Sequence, residues 1–262
     1  MATVADILAF LNTIAPPQMK MDWDNVGLLC GSRNQAVTKI LVALDPFENV
    51  CQEAAAMGAE LIVTHHPLIF HPLKAVTDDT EVGRCIQLLC RNGISAINAH
   101  TNLDCAPEGV NCRLAQLLGL QDIQVIDPMG VDEQGRQWGL LRCGEVAEQP
   151  LDAFLATVKE QLGCEGLRYV GSHAVRKVAV GGGACASELM DAVLAGCDTF
   201  VTSDVKYNQF RDAEAAGINL IDAGHFHTEN PVVSILADKI SVAFPEIEVK
   251  ISESHHDSMK FY

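Results

Sequence analysis

Two stretches of the chain repeat one pattern, and that repeat narrows the fold more than any other feature. Lys39-Ile-Leu-Val-Ala-Leu-Asp45 is a short apolar run rich in branched residues and reads as a buried strand. A helix through Val50 to Met57 follows and closes at Gly58. Glu60-Leu-Ile-Val-Thr64 is a second strand that runs straight into His65-His66-Pro67. A helix over Glu81 to Arg91 ends near Gly93, and a third strand, Ile94 to Ala99, leads into His100-Thr-Asn-Leu-Asp104. The same order returns at Lys177-Val-Ala-Val180, a helix including Ser187 to Leu194, and Thr199-Phe-Val-Thr202 leading into Ser203-Asp204. A helix around Asn208 to Ala216 and the strand Ile218-Asn-Leu-Ile221, which leads into Gly224-His225-Phe-His-Thr-Glu229, complete it. Met57 to Thr64 and Ala195 to Thr202 match in residue type at nearly every position.

The repeat predicts an α/β fold made of two related βαβαβ units, an internal duplication. Strands alternating with helices imply parallel sheets covered by helices, and ligands of such sheets bind beyond the carboxyl ends of the strands. His65, His66, Asp104, Asp204, His225 and Glu229 all follow strands. The first repeat falls in residues 1–125. Residues 126–262 carry an intervening segment and the second repeat, and the two parts are free to intertwine. Between the repeats, Trp138 to Arg142 reads as a strand and Leu151 to Leu162 as a helix. At the start, Val4, Ile7, Leu8, Leu11 and Ile14 form one helical stripe, and Thr3 with Asp6 resembles a capping box.

The residues at the strand ends have the chemistry of metal ligands. Along an extended backbone successive side chains point to opposite sides, and Pro67 favours an extended His66. His65 and His66 therefore suit two neighbouring ions, or one ion and one orienting role; a plainer reading makes them polar caps of a strand. A His-x3-acid pattern occurs twice, as His100…Asp104 and His225…Glu229, at matching places in the two repeats, and that spacing puts both side chains on one side of a helix or strand. Asn230 and Pro231 read as the cap and first residue of the next helix, with Glu229 just ahead of it. Imidazole and carboxylate suit Zn, Mn, Fe, Co or Ni. Two divalent ions need about eight or more coordination positions, so His65, His66, Asp104, His225 and Glu229 would leave some to water.

Charge and cysteine content bound the partners. Eighteen basic against 34 acidic residues give a formal charge of −16, which repels nucleic acid and anionic lipid and suits a protein that attracts cations. No apolar run approaches a membrane span and no secretory signal opens the chain, so a cytoplasmic protein is expected. The ten cysteines form no CxxC pair and read as free thiols. Cys105 alone adjoins a candidate ligand and could serve as a spare ligand or a redox-sensitive thiol.

Trp23-Asp-Asn-Val-Gly-Leu28, Thr64-His-His-Pro67, His100-Thr-Asn-Leu-Asp104, Thr202-Ser-Asp-Val-Lys-Tyr207 and Gly224-His-Phe-His-Thr-Glu229 together resemble the NIF3-like (YbgI-type) proteins, also catalogued as homologues of a type 2 GTP cyclohydrolase 1. The resemblance spans essentially the whole chain. It implies a dinuclear metal centre on His65, His66, Asp104, His225 and Glu229, and a ring-shaped homohexamer with its metal sites facing an inner cavity. The family usually has glycine where Ser203 stands and often histidine where Asn208 stands. His227, His255 and His256 are extra histidines that read as solvated surface. His100 would orient Asp104 or bond a substrate. Asp24 and Asn25 would either orient ligands or cap a loop.

Three functions follow as expectations. The first is a metal-dependent hydrolase of a small phosphorylated or nucleotide-like substrate, with His100 or Asp204 moving protons, Lys206 offsetting negative charge, and the Gly181-Gly182-Gly183 loop holding a phosphate. The second takes Gly181, Gly183 and Ala186, with Asp204 beyond the next strand, as a nicotinamide fingerprint, which leaves the five metal donors unexplained. The third is a non-catalytic metal-binding regulatory or assembly protein.

Overall fold

The computed structural model describes all 262 residues, and the chain divides into two compact units. The first takes residues 1–103 and 232–256; the second takes 104–231 and 257–262. The division therefore falls near residue 103, not 125, and the helix Pro231–Ala243 returns the chain to the first unit.

In the first unit a five-stranded sheet runs in the order Gly27–Cys30, Ser95–Asn98, Leu61–Thr64, Lys39–Ala43, Glu248–Ile251. All neighbours are parallel except the edge strand Gly27–Cys30. Helices Glu48–Met57 and Glu81–Asn92 make the crossovers and bury Val50, Ala54 and Leu89 against Leu41, Ile62 and Ala96. The helix Val4–Ile14 buries Val4, Ile7, Leu8 and Leu11, and Thr3 and Asp6 form the expected capping box.

The second unit has a six-stranded sheet ordered Gln121–Ile126, Leu141–Gln149, Val175–Val180, Thr199–Thr202, Asn219–Asp222, Arg168–Val170. Its three repeat strands are parallel and the rest antiparallel. The segment between the repeats thus supplies three strands and the helix Leu151–Leu162, whose Phe154 and Val158 fill one core. The expected strand over Trp138 to Arg142 is two elements. Gln137–Trp138 pairs with Gly130–Val131, and the long strand begins at Leu141, because Gly139 turns away to donate to the Cys105 carbonyl at 3.2 Å. The helix expected over Ser187 to Leu194 opens as a tight 3-10 turn, Ala186–Glu188, before Leu189–Leu194.

The duplication reaches individual hydrogen bonds. Glu60 accepts from the amides of Thr38 and Lys39, at 3.0 and 2.9 Å; Asp198, its counterpart, accepts from Arg176 and Lys177 at 3.0 and 2.8 Å. Lys39 Nζ donates to the Met57 carbonyl and Lys177 Nζ to that of Ala195. Each repeat also has an antiparallel fourth strand, Gly27–Cys30 or Arg168–Val170, against its third. Each of these ends at a glycine, Gly31 or Gly171, where a Cβ would collide with Ser95 or Asn219.

Strand register corrects one reading. Leu61 lies opposite Ser95 and Thr199 opposite Asn219, so His100 matches Gly224, not His225. The two His-x3-acid motifs are displaced by one residue: His225 and Glu229 share the short helix His225–Glu229, whereas His100 just precedes the helix Thr101–Cys105 that carries Asp104. Glu229 ends the helix His225–Glu229 and, as expected, also stands just ahead of the next helix, which begins at Pro231.

Candidate metal centre

The first unit gathers three imidazoles at the carboxyl ends of its strands. His65 and His66 follow strand Leu61–Thr64, and His100 precedes helix Thr101–Cys105. One ring nitrogen from each lies within 4.8 Å of the others, a grouping that can hold a metal ion. Every Nδ1 is held. His65 Nδ1 pairs with the Ala99 carbonyl at 2.8 Å, His66 Nδ1 with Asp45 at 2.6 Å, and His100 Nδ1 with Asp24 at 2.8 Å. A carbonyl oxygen only accepts, so His65 carries its proton on Nδ1 and keeps the lone pair on Nε2. The two carboxylates impose the same tautomer, which is how ligating histidines are fixed.

These carboxylates are themselves built in. Burial alone would raise Asp24, but bonds from His100 and Thr101 outweigh it and hold the carboxyl well below its usual range. Burial also works against Asp45, and bonds from His255 and His66 hold it low. Asp24 thus orients His100. Asn25 instead donates to the Ile69 carbonyl at 2.6 Å and ties two loops together. The expectation of a solvated His255 is overturned: its side chain is 4% exposed and bonds Asp45 at 2.9 Å. His256 is exposed, as expected.

The second unit offers carboxylates and one imidazole. His225 and Glu229, four apart on one helix, place Nε2 and Oε2 3.0 Å from each other. His225 Nδ1 meets Asp204 at 2.8 Å, so both ring nitrogens face carboxylate oxygens, an arrangement that calls for a cation, a proton or a metal, at Nε2. Asp204 reaches the ring from a left-handed backbone, φ +52°, which aspartate tolerates better than most residues. It is a positioning residue for His225; the expected proton-shuttle role rests on no contact beyond this one.

Asp104 is buried, and its helix is held by two residues the sequence did not single out. Asn111 donates to the Asp104 and Leu140 carbonyls, at 3.3 and 2.7 Å, and accepts from the Gly182 amide at 2.6 Å. Arg142 is 2% exposed and donates to the carbonyls of Gly139, Leu141, Cys105 and Ala106, so it caps the end of the Asp104 helix. Burial draws the guanidinium down, while nearby negative charge, Asp104 included, works the other way. Neither role has a local sequence signature, because both depend on partners far along the chain, Asn111 on Leu140 and Gly182 and Arg142 on Cys105 and Ala106.

The glycine loop has another purpose than the expected phosphate cradle. Gly181 donates to the Val201 carbonyl, Gly182 to Asn111 and Gly183 to the Thr228 hydroxyl, so all three amides are committed. At Gly183, φ is +63°, and a Cβ would stand 2.0 Å from Glu229 Oε1 and 3.2 Å from His225 Nε2. The glycine lets both donors press against the backbone. Lys206 stands exposed at the start of helix Tyr207–Ala216. His227, expected on the surface, is pinned between the Leu162 carbonyl and Asp257. Cys105 is wholly buried. The neighbouring Cys185 is pushed well up by burial and by the charges of Asp104 and Glu229, and as a neutral thiol it donates to the Gly182 carbonyl at 3.1 Å.

Residues 2–258 match the model of the family described as Duf34/NIF3 (NGG1p interacting factor 3). A Clostridium perfringens protein named GTP cyclohydrolase 1 type 2 homolog is 36% identical over 260 residues, 98% of each chain. One of the same name from Lactococcus lactis is 33% identical over 264 residues, 99% of this chain and 98% of its own. The crystal structure of a Bacillus cereus protein related to NIF3 superposes with a TM-score of 0.94 at 26% identity, covering 100% of this chain and 99% of that one.

Proposed function

The chain belongs to the Duf34/NIF3 family, and on that premise we propose that it is a metal-dependent hydrolase of a small nucleotide-like or phosphorylated substrate. His65, His66, Asp104, His225 and Glu229 are taken as ligands of two divalent ions drawn from Zn, Fe, Mn, Co and Ni. One observation carries this reading: each of the three ligating imidazoles has its Nδ1 fixed by an acceptor, Ala99, Asp45 or Asp204, so that Nε2 is the donor nitrogen. Bound ions would polarise a substrate oxygen and acidify water. The chain's own part is to orient rings through Asp45 and Asp204 and to present His100, held by Asp24, as the imidazole that accepts and returns a proton at Nε2.

The names of the relatives make GTP ring opening one candidate reaction. A panel of nucleotides and phosphoesters, assayed with Mn, Zn, Fe and Co, tests it. Turnover that disappears in Glu229→Gln supports a hydrolase. Rates equal to those of free metal and unaffected by Glu229→Gln end that reading in favour of a non-catalytic metal-binding assembly protein. Elemental analysis should give about two ions per chain and none above background in His65→Ala/His225→Ala. The family resemblance also carries the proposal of a cytoplasmic homohexamer, which light scattering tests; no helix of the chain is long and apolar enough to cross a membrane.

A further inference from the structure

Trp23 is 63% exposed and Phe70 is 42% exposed, beside the imidazoles of the first unit. Trp23 lies 5.8 Å from Phe70 at 73° and 6.3 Å from His100 at 72°; Phe70 lies 6.1 Å from His100 at 82°. All three contacts are edge-to-face, and His100 itself meets His65 and His66 at 5.2 and 5.4 Å. Neither ring contact of Trp23 is a stack.

The backbone around this indole is tied on both sides. The Met21 amide donates to the Thr101 hydroxyl at 2.9 Å, Lys20 Nζ donates to the carbonyls of Met21 and Asp24, and the Asp24 amide donates to the Met21 carbonyl. Asn98 donates to the Asn25 carbonyl, and Asn25 to that of Ile69, next to Phe70. A large apolar ring held in water by a rigid loop gains nothing from burial within its own unit. A rigid aromatic face costs little ordering entropy when a flat ligand covers it.

We propose that Trp23, with Phe70 at its edge, is the stacking platform for a planar heteroaromatic ring of the substrate. This deepens the hydrolase reading and rests on it: the ring is placed beside His100, and recognition lies in the base more than in the phosphate. Two observations favour a ring over a phosphate as the recognised group. The amides of Gly181, Gly182 and Gly183 are all committed within the chain. The formal charge of −16 opposes a polyphosphate.

The test uses the metal-loaded full chain carrying Trp138→Phe, which leaves Trp23 as the sole tryptophan. Guanosine should quench its emission, excited beyond the base's own absorption, in a saturable way, and ribose 5-phosphate should not. By calorimetry Trp23→Ala should bind guanosine about ten- to a hundredfold more weakly, with Trp23→Phe close to wild type and metal content unchanged. Guanosine binding that Trp23→Ala leaves intact, or quenching by ribose 5-phosphate alone, overturns the proposal. A Trp23 shielded from iodide in the free protein, with Trp23→Ala reducing the assembly mass, also overturns it, because the indole then belongs to a contact between copies. Ring binding through Trp23 with no turnover of any compound would sink the hydrolase reading and leave the platform standing. Turnover of phosphoesters that Trp23→Ala does not alter would do the reverse.

Discussion

The two units share a frame and differ in what they hang on it. Lys39 and Lys177, Glu60 and Asp198, and the edge strands before Gly31 and Gly171 make the same contacts. At the strand ends the matched positions diverge. Asp45 in the first repeat corresponds to Gly183 in the second, and His66 to Asp204. In the first unit a carboxylate after the first strand grips an imidazole after the second. In the second unit the carboxylate follows the second strand, grips an imidazole beyond the third, and glycine fills the vacated place. Duplication preserved what closes the sheets, while the strand ends took complementary donor types, imidazole-rich in one unit and carboxylate-rich in the other.

The sharpest break between the units is Arg142, which has no counterpart among the first unit's contacts described above. Arg142→Leu would take the guanidinium from four carbonyls, of which Cys105 keeps the Gly139 amide and Ala106 that of Gly109, and an unsatisfied buried group costs about 1–3 kcal/mol. Urea unfolding should show a loss of several kcal/mol, a large share of the roughly 5–15 kcal/mol of an ordinary domain. A loss below about 1 kcal/mol would mean that water replaces the guanidinium, and the second unit would then need no special brace.

Gly183→Ala attacks the place where the repeats differ most. It puts a methyl group against Glu229 and forces alanine into a left-handed backbone costing about 1–2 kcal/mol. Metal affinity should fall about a hundredfold, at the upper end for residues that orient ligands. Asp45→Gly, which gives the first repeat the second repeat's residue, frees His66 without displacing it and should cost about tenfold. Competitive chelator titration measures both, and equal losses would erase the distinction drawn between the two positions.

The carboxylates that hold imidazoles can be ranked by burial. Asp24 has a side chain with no exposure, Asp45 is 15% exposed and Asp204 50% exposed. Asn substitution at Asp45 should lower metal affinity more than at Asp204, both within about ten- to a hundredfold, because solvent screens the exposed pair. Asp24→Asn should leave metal content unchanged and lower turnover, since His100 is proposed as a proton carrier and not a ligand. Loss of metal in Asp24→Asn would make His100 a ligand.

The α/β class and the six repeat strands were legible because alternating apolar runs and glycine stops are local signals. Strand-end histidines were legible for the same reason. What escaped was anything decided by distant pairing. Asn111 looks like an ordinary helix residue until its bonds to Gly182 and Leu140 are seen. His255 looks like a tail residue until strand Glu248–Ile251 carries it to Asp45. The glycine triplet was read by its motif, and its committed amides appear only when Asn111 and Thr228 are in place. The one-residue offset between His100 and His225 needed strand register, which sequence spacing alone does not give.

The smallest effect tests the shared frame itself. Glu60 and Asp198 each accept two amides at the start of a strand, so Glu60→Gln and Asp198→Asn should each cost about 1 kcal/mol at neutral pH, discounted for partial exposure. Partial burial would raise Glu60, but the amides of Thr38 and Lys39 outweigh it and its pKa is lowered on folding. A depressed folded pKa gives stability that is present above the unfolded value, about 4.3, and is lost as pH falls through the folded value. The gap between wild type and Glu60→Gln should therefore hold from pH 7 to about 5 and close below about 4. Denaturant midpoints at pH 7, 5 and 3.5 would show it. If Glu60→Gln were silent at pH 7 while Asp198→Asn was not, the matched bonds would be a shared geometry without a shared energetic role.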